Sequence, residues 1–109
     1  MAWLLRQGEV LASLEVPVTS LERARGFLGR EHHDRALLLR PLRFAHTVGV
    51  RFPVDVAYLD ADLVVMSTRR MAPFRVGLPR PGVHAVLEAD AGAFERWHLR
   101  RGDRLEIKA

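Results

Sequence analysis

The chain has 109 residues, of which 49% are hydrophobic and 28% are charged, and this composition is typical of one globular domain. It contains no cysteine, which excludes disulfides, thiolate metal sites and cysteine nucleophiles. The net charge is +4, and every basic residue except Lys108 is arginine. No apolar run reaches the ~18 residues of a membrane-spanning helix, and the N-terminus does not resemble a secretory signal. We therefore expect a cytoplasmic protein without membrane contact.

The N-terminal segment is predicted to form a β-hairpin. Residues 3–6 and 9–16 lie on either side of Gln7-Gly8, and the second arm has the period-two pattern of a strand with one buried face. Pro17 ends that strand, because proline cannot donate to a sheet ladder.

A helix is predicted to begin at Thr19. Thr19 and Glu22 have the spacing of a capping box, in which each side chain satisfies the backbone amide of the other residue. Gly29 suits the left-handed position that closes a helix. Gly26 then falls inside the helix at a cost of about 1 kcal/mol relative to alanine, and close approach by another element would explain it.

The middle of the chain is predicted to be rich in short strands. Residues 36–40 form a short apolar run, residues 43–50 are predicted to form another strand, and residues 53–60 form a strand that contains Asp55. A turn at Ala61-Asp62 leads into a strand over residues 63–69, which makes a second hairpin.

The C-terminal third contains the longest irregular stretch, residues 71–82, which we call the proline-rich loop. A strand over residues 83–89, a short helix capped by Asp90 and a final strand over residues 103–108 follow it. We therefore predict a single domain over residues 1–109 of the α+β class. Its antiparallel sheet of short strands is expected to curl into a small barrel or sandwich with two short helices.

No catalytic motif of a known class is present, and two weaker arrangements remain. His32-His33-Asp34 is the most metal-like cluster, but we interpret it as a solvated loop, and we expect no metal and no cofactor. His46 could act as a general base oriented by Asp55, which would make the protein a metal-independent hydrolase or lyase. The alternative is that Asp55 forms a buried structural ion pair or is a turn acid that ties loops together, because no nucleophile accompanies the two residues.

A carboxylate between Val54 and Val56 in a strand is costly without partners, so we predict at least one charged or several neutral donors for Asp55. The candidate donors are Arg23, His46, Thr47 and Arg51. Arg23, at the start of the helix, is in turn expected to have an acidic partner, either Asp55 or Glu88.

The leading functional hypothesis is a small binding or accessory module with a polar pocket for an anionic small molecule or an acidic peptide. The candidate pocket residues are Arg23, His46, Thr47, Arg51, Asp55 and Glu88, with Arg75 and Arg80 on the overhanging proline-rich loop. Within that loop, Phe74 is predicted to pack down as an anchor while Arg75 or Arg80 faces solvent or a ligand.

The many arginines also allow a third hypothesis, a weak nucleic-acid binder. That function needs the arginines on one face, and no aromatic residues interleave them as in a stacking platform. We therefore interpret the arginines as a solvated surface and do not expect a nucleic-acid partner.

Four segments in the same order resemble those of a known family. Residues 19–30 resemble its Glu-Arg-x-x-Gly helix followed by an arginine, and residues 52–60 resemble its hydrophobic-Pro-hydrophobic-Asp strand. Residues 86–92 and 102–103 resemble its closing Leu-Glu-x-x-x-Gly and Gly-Asp motifs. On these residues the chain resembles the prokaryotic domain of unknown function 192.

The resemblance implies a compact, mostly-β domain, and it implies no particular activity. Many members carry Trp-Met-Lys-Asn-Thr where this chain has residues 46–50, which read His-Thr-Val-Gly-Val. A function tied to that tryptophan or asparagine is therefore not implied for this chain.

Overall fold

A computed structural model of the chain describes residues 2–26 and 35–109. Within these residues the chain forms seven β-strands and two short helices. In chain order they are β1 (Ala2–Arg6), β2 (Glu9–Glu15), α1 (Ser20–Arg25), β3 (Ala36–Leu39), β4 (Val54–Leu59), β5 (Val65–Met71), β6 (Ala85–Asp90), α2 (Ala93–Arg96) and β7 (Glu106–Lys108). The two predicted hairpins are confirmed as the pairs β1–β2 and β4–β5.

The strands form one sheet in the order β5-β4-β6-β3-β2-β1-β7. Neighbouring strands are antiparallel except β2 and β3, which are parallel. The α+β class with two short helices is therefore confirmed, whereas the expectation of a wholly antiparallel sheet is wrong. A parallel pair needs a crossover of about a dozen residues or more, and residues 16–35 between β2 and β3 supply it. The strands pair as an open series with β5 and β7 at its ends, so the pairing does not establish the predicted barrel or sandwich.

The sheet buries apolar side chains on both faces, because successive side chains of a strand point to opposite sides. On β4, Ala57 and Leu59 belong to one hydrophobic cluster, and Val56 and Tyr58 belong to the other. The first cluster includes Phe94 of α2, which covers that face. The second cluster includes residues of the segments before β4 and before β6, namely Ala45, Val50 and Val83.

Two predictions about strands and caps are wrong. Residues 43–50 do not form a strand; His46 makes an isolated bridge to Val76, and the Val50 N–H donates to the Thr47 carbonyl at 3.0 Å, which turns the backbone. Asp90 does not cap α2, because it is the last residue of β6. The N-cap of α2 is Gly92, in the left-handed conformation at φ 96°.

The first helix is shorter than predicted. It ends at Arg25, so Gly26 lies just beyond the helix, at φ +51°, and not inside it. A left-handed residue at this position is a common helix ending, and glycine adopts it without strain. The predicted cap at Gly29 and the capping side chain of Glu22 lie outside what the structure describes.

Candidate functional site

Thr47 fastens the segment before β4 to the proline-rich loop. Its hydroxyl donates to the Ala72 carbonyl at 2.6 Å and accepts from the Arg75 N–H at 2.8 Å. Its own N–H donates to the Arg75 carbonyl at 2.7 Å, and its carbonyl accepts from the Phe74 N–H at 2.8 Å. The side chain is buried. Thr47 therefore holds two irregular segments together and does not present its hydroxyl to a ligand.

The imidazole of His46 is bound to backbone groups on both nitrogens. Its Nδ1 accepts from the Val48 N–H at 3.2 Å, so the proton of the neutral ring is assigned to Nε2. Nε2 then donates to the Ala24 carbonyl of α1. The hypothesis of a general base oriented by Asp55 is therefore wrong, because the ring is held by Val48 and Ala24 instead.

Asp55 is a structural carboxylate between β4 and α2. Its Oδ2 accepts from the backbone N–H groups of Gly92 at 2.9 Å and Phe94 at 3.1 Å, and its Oδ1 accepts from Arg70 Nε at 3.1 Å. The residue is 4% exposed. The prediction that Asp55 has a charged donor or several neutral donors is confirmed. The donors are these three groups, and not the predicted Arg23, His46, Thr47 or Arg51.

Arg70 carries its charge under all ordinary conditions. The hydrogen bond that Arg70 Nε donates to Asp55 raises the pKa of the Arg70 guanidinium above its usual value, and the negative charge of Asp55 adds to that rise. Glu95 Oε1 lies 3.4 Å from Arg70 Nη2 and acts in the same direction. A raised pKa means that any contribution of this charge to stability is present below the unfolded-state value and is lost only in strong alkali. Two carboxylates therefore already neutralise Arg70 locally.

Arg23 of α1 has local partners. Arg23 donates from Nη1 to the Val18 carbonyl at 3.3 Å and from Nη2 to Ser20 Oγ at 3.1 Å. These bonds hold the start of the helix, and they replace the acidic partner predicted for Arg23. Arg51 is exposed on the segment before β4.

Glu88 lies on the opposite sheet face from Asp55. Asp55 pairs with Ala89, and its neighbour Val56 pairs with Glu88, so the two carboxylates point to opposite sides of the sheet. Glu88 is buried, and a Cβ built at Gly26 would lie 2.7 Å from its Oε1. This contact is the close approach that the sequence predicted for Gly26. The structure therefore does not bring the candidate residues into one polar pocket.

The proline-rich loop instead covers a groove on the face of β4 and β5 that carries Val56 and Tyr58. The groove has a volume of about 630 Å³, which is within the range of small-molecule sites. Of the candidate site residues, Arg80 alone lines it. The lining residues are Val56, Tyr58, Ser67, Thr68, Arg69, Met71, Val76, Gly77, Leu78, Pro79 and Arg80.

The loop above this groove is fixed in place. The Gly77 N–H donates to the Ala45 carbonyl at 2.8 Å. The Tyr58 hydroxyl accepts from the Ala45 N–H at 3.2 Å and donates to the Leu78 carbonyl at 3.5 Å. A Cβ built at Gly77 would lie 2.3 Å from the Tyr58 hydroxyl, so this close approach requires glycine.

The predicted anchoring role of Phe74 is wrong. Phe74 is 63% exposed and has φ 60°. Hydrogen bonds between the backbone of Thr47 and the loop backbone fix this conformation, which directs the ring outward. The prediction that Arg75 or Arg80 faces solvent or a ligand agrees with their exposure. Arg80 also reaches across to β5, where Nη1 donates to Ser67 Oγ at 3.0 Å.

A charge pattern that could have indicated the groove is visible in the sequence. Residues 35–54 and 63–87 contain no aspartate or glutamate, and all thirteen acids lie elsewhere. The two segments contain eight arginines, which are Arg35, Arg40, Arg43, Arg51, Arg69, Arg70, Arg75 and Arg80. The loop and β5, which form the groove rim, belong to the second segment.

The part of the chain that the structure describes contains neither a metal-binding cluster nor a membrane-spanning helix. Among residues 2–26 and 35–109, no three His, Asp or Glu side chains come together in a way that could hold a metal ion. The candidate cluster His32-His33-Asp34 lies outside these residues. None of the helices that the structure describes is long and apolar enough to cross a bilayer.

The fold defines the class of protein: a small mixed-sheet domain with two short helices and an arginine-rimmed groove. The chain belongs to the domain of unknown function 192 family, described as "Uncharacterized ACR", which matches residues 3–107. A UPF0127 protein of Pyrococcus abyssi is 26% identical over 98 residues, which is 85% of this chain and 84% of that protein.

Two solved structures share the fold. A protein of unknown function from Novosphingobium aromaticivorans superposes with a TM-score of 0.78 at 23% identity, over 96% of this chain and 82% of that chain. A candidate transcription regulator from Sinorhizobium meliloti superposes with a TM-score of 0.80 at 21% identity, over 97% and 91% of the two chains. At these identities the likeness shows a common fold and not a common activity.

Proposed function

We propose that this domain is a binding module, and that the groove under the proline-rich loop takes an anionic ligand with an apolar part. One observation carries the proposal: an apolar floor that includes Val56 and Met71 lies beside the guanidinium groups of Arg69 and Arg80, with no acid in the lining. A ligand with a carboxylate or phosphate next to a hydrocarbon group satisfies both surfaces.

The preference for an anion follows from the partners of the two arginines. Arg80 donates to the neutral hydroxyl of Ser67, and the groove lining offers Arg69 no carboxylate. Hydrogen bonds between a guanidinium and an ionised oxygen are about twice as strong as neutral ones, and the fork geometry suits carboxylates and phosphates. A bound anion would therefore improve on the partner that Arg80 has in the free protein.

The pinned loop supports binding by lowering its entropic cost. Thr47, Ala45 and Tyr58 hold the loop backbone through hydrogen bonds. A site that is already ordered loses less conformational freedom when a ligand arrives. The contacts of His46 and Asp55 favour this binding role over the hydrolase hypothesis, because both residues are committed to structural partners.

Octanoate is a suitable probe, because it combines one carboxylate with an apolar chain. When octanoate is titrated into the protein and amide chemical shifts are followed by NMR, the amide signals of β5 and of residues 76–80 are expected to shift. Octanol, which lacks the charge, and acetate, which lacks the chain, are expected to bind more weakly. Arg80→Gln and Arg69→Gln are each expected to weaken octanoate binding about three- to fivefold, as for a partly exposed ion pair.

Arg101→Gln is the matched control, since Arg101 is an exposed arginine in the turn before β7, outside the groove. This variant is expected to bind octanoate like the wild type. Equal binding of octanol and octanoate, or equal losses in the Arg80 and Arg101 variants, would show that the groove does not select an anion.

A further inference from the structure

The edge strand β5 has a backbone edge that is open along most of its length. β5 stands at the end of the strand order and pairs with β4. On its outer edge the Val65 N–H donates to the Asp103 carbonyl at 2.8 Å, and the Leu105 N–H donates to the Leu63 carbonyl at 3.0 Å. From residue 66 to residue 71, no other described residue bonds to the backbone on that edge. Unpaired N–H and C=O groups in a row are the template for adding another strand.

A groove borders this strand on each face of the sheet. The proposed binding groove contains Ser67, Arg69 and Met71, which share a face because they alternate along β5. A second groove of about 320 Å³ lies on the other face, beside Thr68 and Arg70. Phe94 and Glu95 of α2 form its far wall.

This arrangement matches the way in which an added strand is recognised. The main chain of an extended peptide bonds to the open edge, and its alternate side chains enter pockets on the two faces. Side chains on one face would meet the apolar floor and the arginines of the binding groove. Side chains on the other face would meet Thr68 and Arg70, whose charge Asp55 and Glu95 already neutralise.

The charge of the edge selects the kind of strand that can pair with it. Arg69 and Arg80 favour acidic side chains on the groove face, whereas the second groove favours neutral ones. A second copy of this chain is a poor partner, because edge-to-edge pairing through β5 would bring Arg69 and Arg70 near the same residues of the other copy. Like charges directly opposite one another destabilise strand pairs.

We infer that the domain binds an extended acidic peptide, which adds to the sheet as a further strand along the outer edge of β5. The inference rests on the proposed binding function and specifies the ligand class. Acidic side chains alternate with small neutral ones, and an apolar side chain between two acids reaches the groove floor. The peptide main chain bonds to the backbone between residues 66 and 71.

The probe is the synthetic peptide acetyl-Thr-Glu-Thr-Val-Thr-Glu-Thr-amide, which places Glu, Val and Glu on one face. Two N-methylated versions test the main-chain bonds, one methylated at every Thr and one at Glu, Val and Glu. Only one of these sets of amides can face β5 in a paired strand. One version is therefore expected to lose at least about tenfold in affinity, while the other binds nearly as well as the parent peptide.

Four further measurements accompany the titration. Hydrogen exchange at the amides of residues 66–71 is expected to slow when the peptide binds. A peptide with Lys in place of Glu is expected to bind at least about tenfold more weakly. Added salt is expected to lower the affinity for the acidic peptide. Arg69→Gln is expected to weaken the acidic peptide, with Arg101→Gln as the unaffected control.

The outcomes separate this inference from the binding function on which it rests. If both N-methylated peptides bind like the parent, or if octanoate binds and no peptide does, strand addition is overturned and the groove proposal stands. If neither octanoate nor the peptide binds, both proposals fail. A concentration-dependent dimer that protects residues 66–71 without peptide would show that a second copy occupies the edge, and this too overturns the inference.

Discussion

A single carboxylate joins three parts of the molecule. Asp55 accepts from two backbone amides at the start of α2 and from the side chain of Arg70 on β5, while its own strand β4 lies between β5 and β6 in the sheet. The amides of Gly92 and Phe94 have this carboxylate as their partner where the chain leaves β6 for α2. Removing the carboxylate would therefore leave polar groups unsatisfied.

Asp55→Ala is expected to lower the free energy of unfolding by about 2–3 kcal/mol, because it deprives the two amides and the Arg70 guanidinium of their acceptor. Asn at this position can still accept from the amides, so Asp55→Asn is expected to cost less. Urea unfolding measures both variants. An Asp55→Ala protein as stable as the wild type would show that this carboxylate does not hold α2 against the sheet.

The sequence predicted that Asp55 would have donors, because an acid between Val54 and Val56 in a strand is costly without them. It could not predict which donors. Arg70 is separated from Asp55 by 15 positions, and Gly92 and Phe94 are separated from it by 37 and 39 positions. The first separation closes through the hairpin β4–β5, which the sequence predicted without its register. The other two close only through the pairing of β4 with β6, which no local pattern encodes.

At the scale of elements, hydrogen bonds hold the proline-rich loop and the irregular segment before β4 side by side, and we call these two segments the ribbon. Its bonds are the His46–Val76 bridge, the Gly77–Ala45 bond and the set around Thr47. The ribbon covers the hydrophobic cluster that contains Val56 and Tyr58, and it forms one wall of the groove. Its geometry depends on a hydroxyl that both donates and accepts.

Thr47→Val is expected to destabilise the protein by about 2 kcal/mol, because valine keeps the shape but leaves the Ala72 carbonyl and the Arg75 N–H without the hydroxyl. Thr47→Ser, which keeps the hydroxyl, is the matched control and is expected to cost less. Thermal unfolding and amide exchange at residues 72–77 report the change. Equal stability of the Val and Ser variants would show that the hydroxyl does not hold the ribbon.

Local patterns predicted the regular elements well and the irregular ones poorly. Both hairpins follow from alternation and turn residues, which act within a few positions. Residues 43–50 also look apolar enough for a strand, yet the turn between Thr47 and Val50 diverts them. Phe74 looked like an anchor by residue type, and its exposure results from a backbone conformation that long-range bonds to Thr47 impose.

At the scale of the whole molecule, Arg6 joins the first strand to the C-terminal region. Its Nη1 lies 3.0 Å from Asp103 Oδ2, and its Nη2 donates to the Trp97 carbonyl at 2.6 Å. The guanidinium is largely buried, at 17% exposed. Asp103 also accepts from the Arg100 N–H at 2.9 Å, so the pair organises the turn before β7.

Arg6→Gln is expected to lower the free energy of unfolding by about 1–2 kcal/mol, because the partly buried carboxylate of Asp103 loses its cation and the Trp97 carbonyl loses its donor. Arg101→Gln removes an exposed arginine nearby and is expected to change stability by less than about 0.5 kcal/mol. Denaturant unfolding of the two variants compares them directly. Equal losses would mean that net charge, and not the contacts of Arg6, sets the effect.

The family resemblance predicted the mostly-β domain, whereas residue patterns could not order its strands. The parallel pairing of β2 with β3 depends on how the chain crosses over between them, and periodicity does not record that path. The groove was missed for the same reason, since β5 and the loop meet only in the folded sheet. The one signal of the groove in the sequence was the set of eight arginines in the two segments that contain no aspartate or glutamate.

The placement of residues 102–108 has a consequence for how the protein is made. These residues bond to residues 63–65 at the start of β5 and, through β7, to β1, so they contact both end regions of the strand order. The hairpins β1–β2 and β4–β5 can form as soon as each leaves the ribosome, since their contacts are local. The β1 edge and the start of the β5 edge then stay uncovered until residues 102–108 are available to pair with them. For that interval the chain exposes strand edges that can pair with those of neighbouring chains, so any delay before residues 102–108 are made lengthens the period in which it can aggregate.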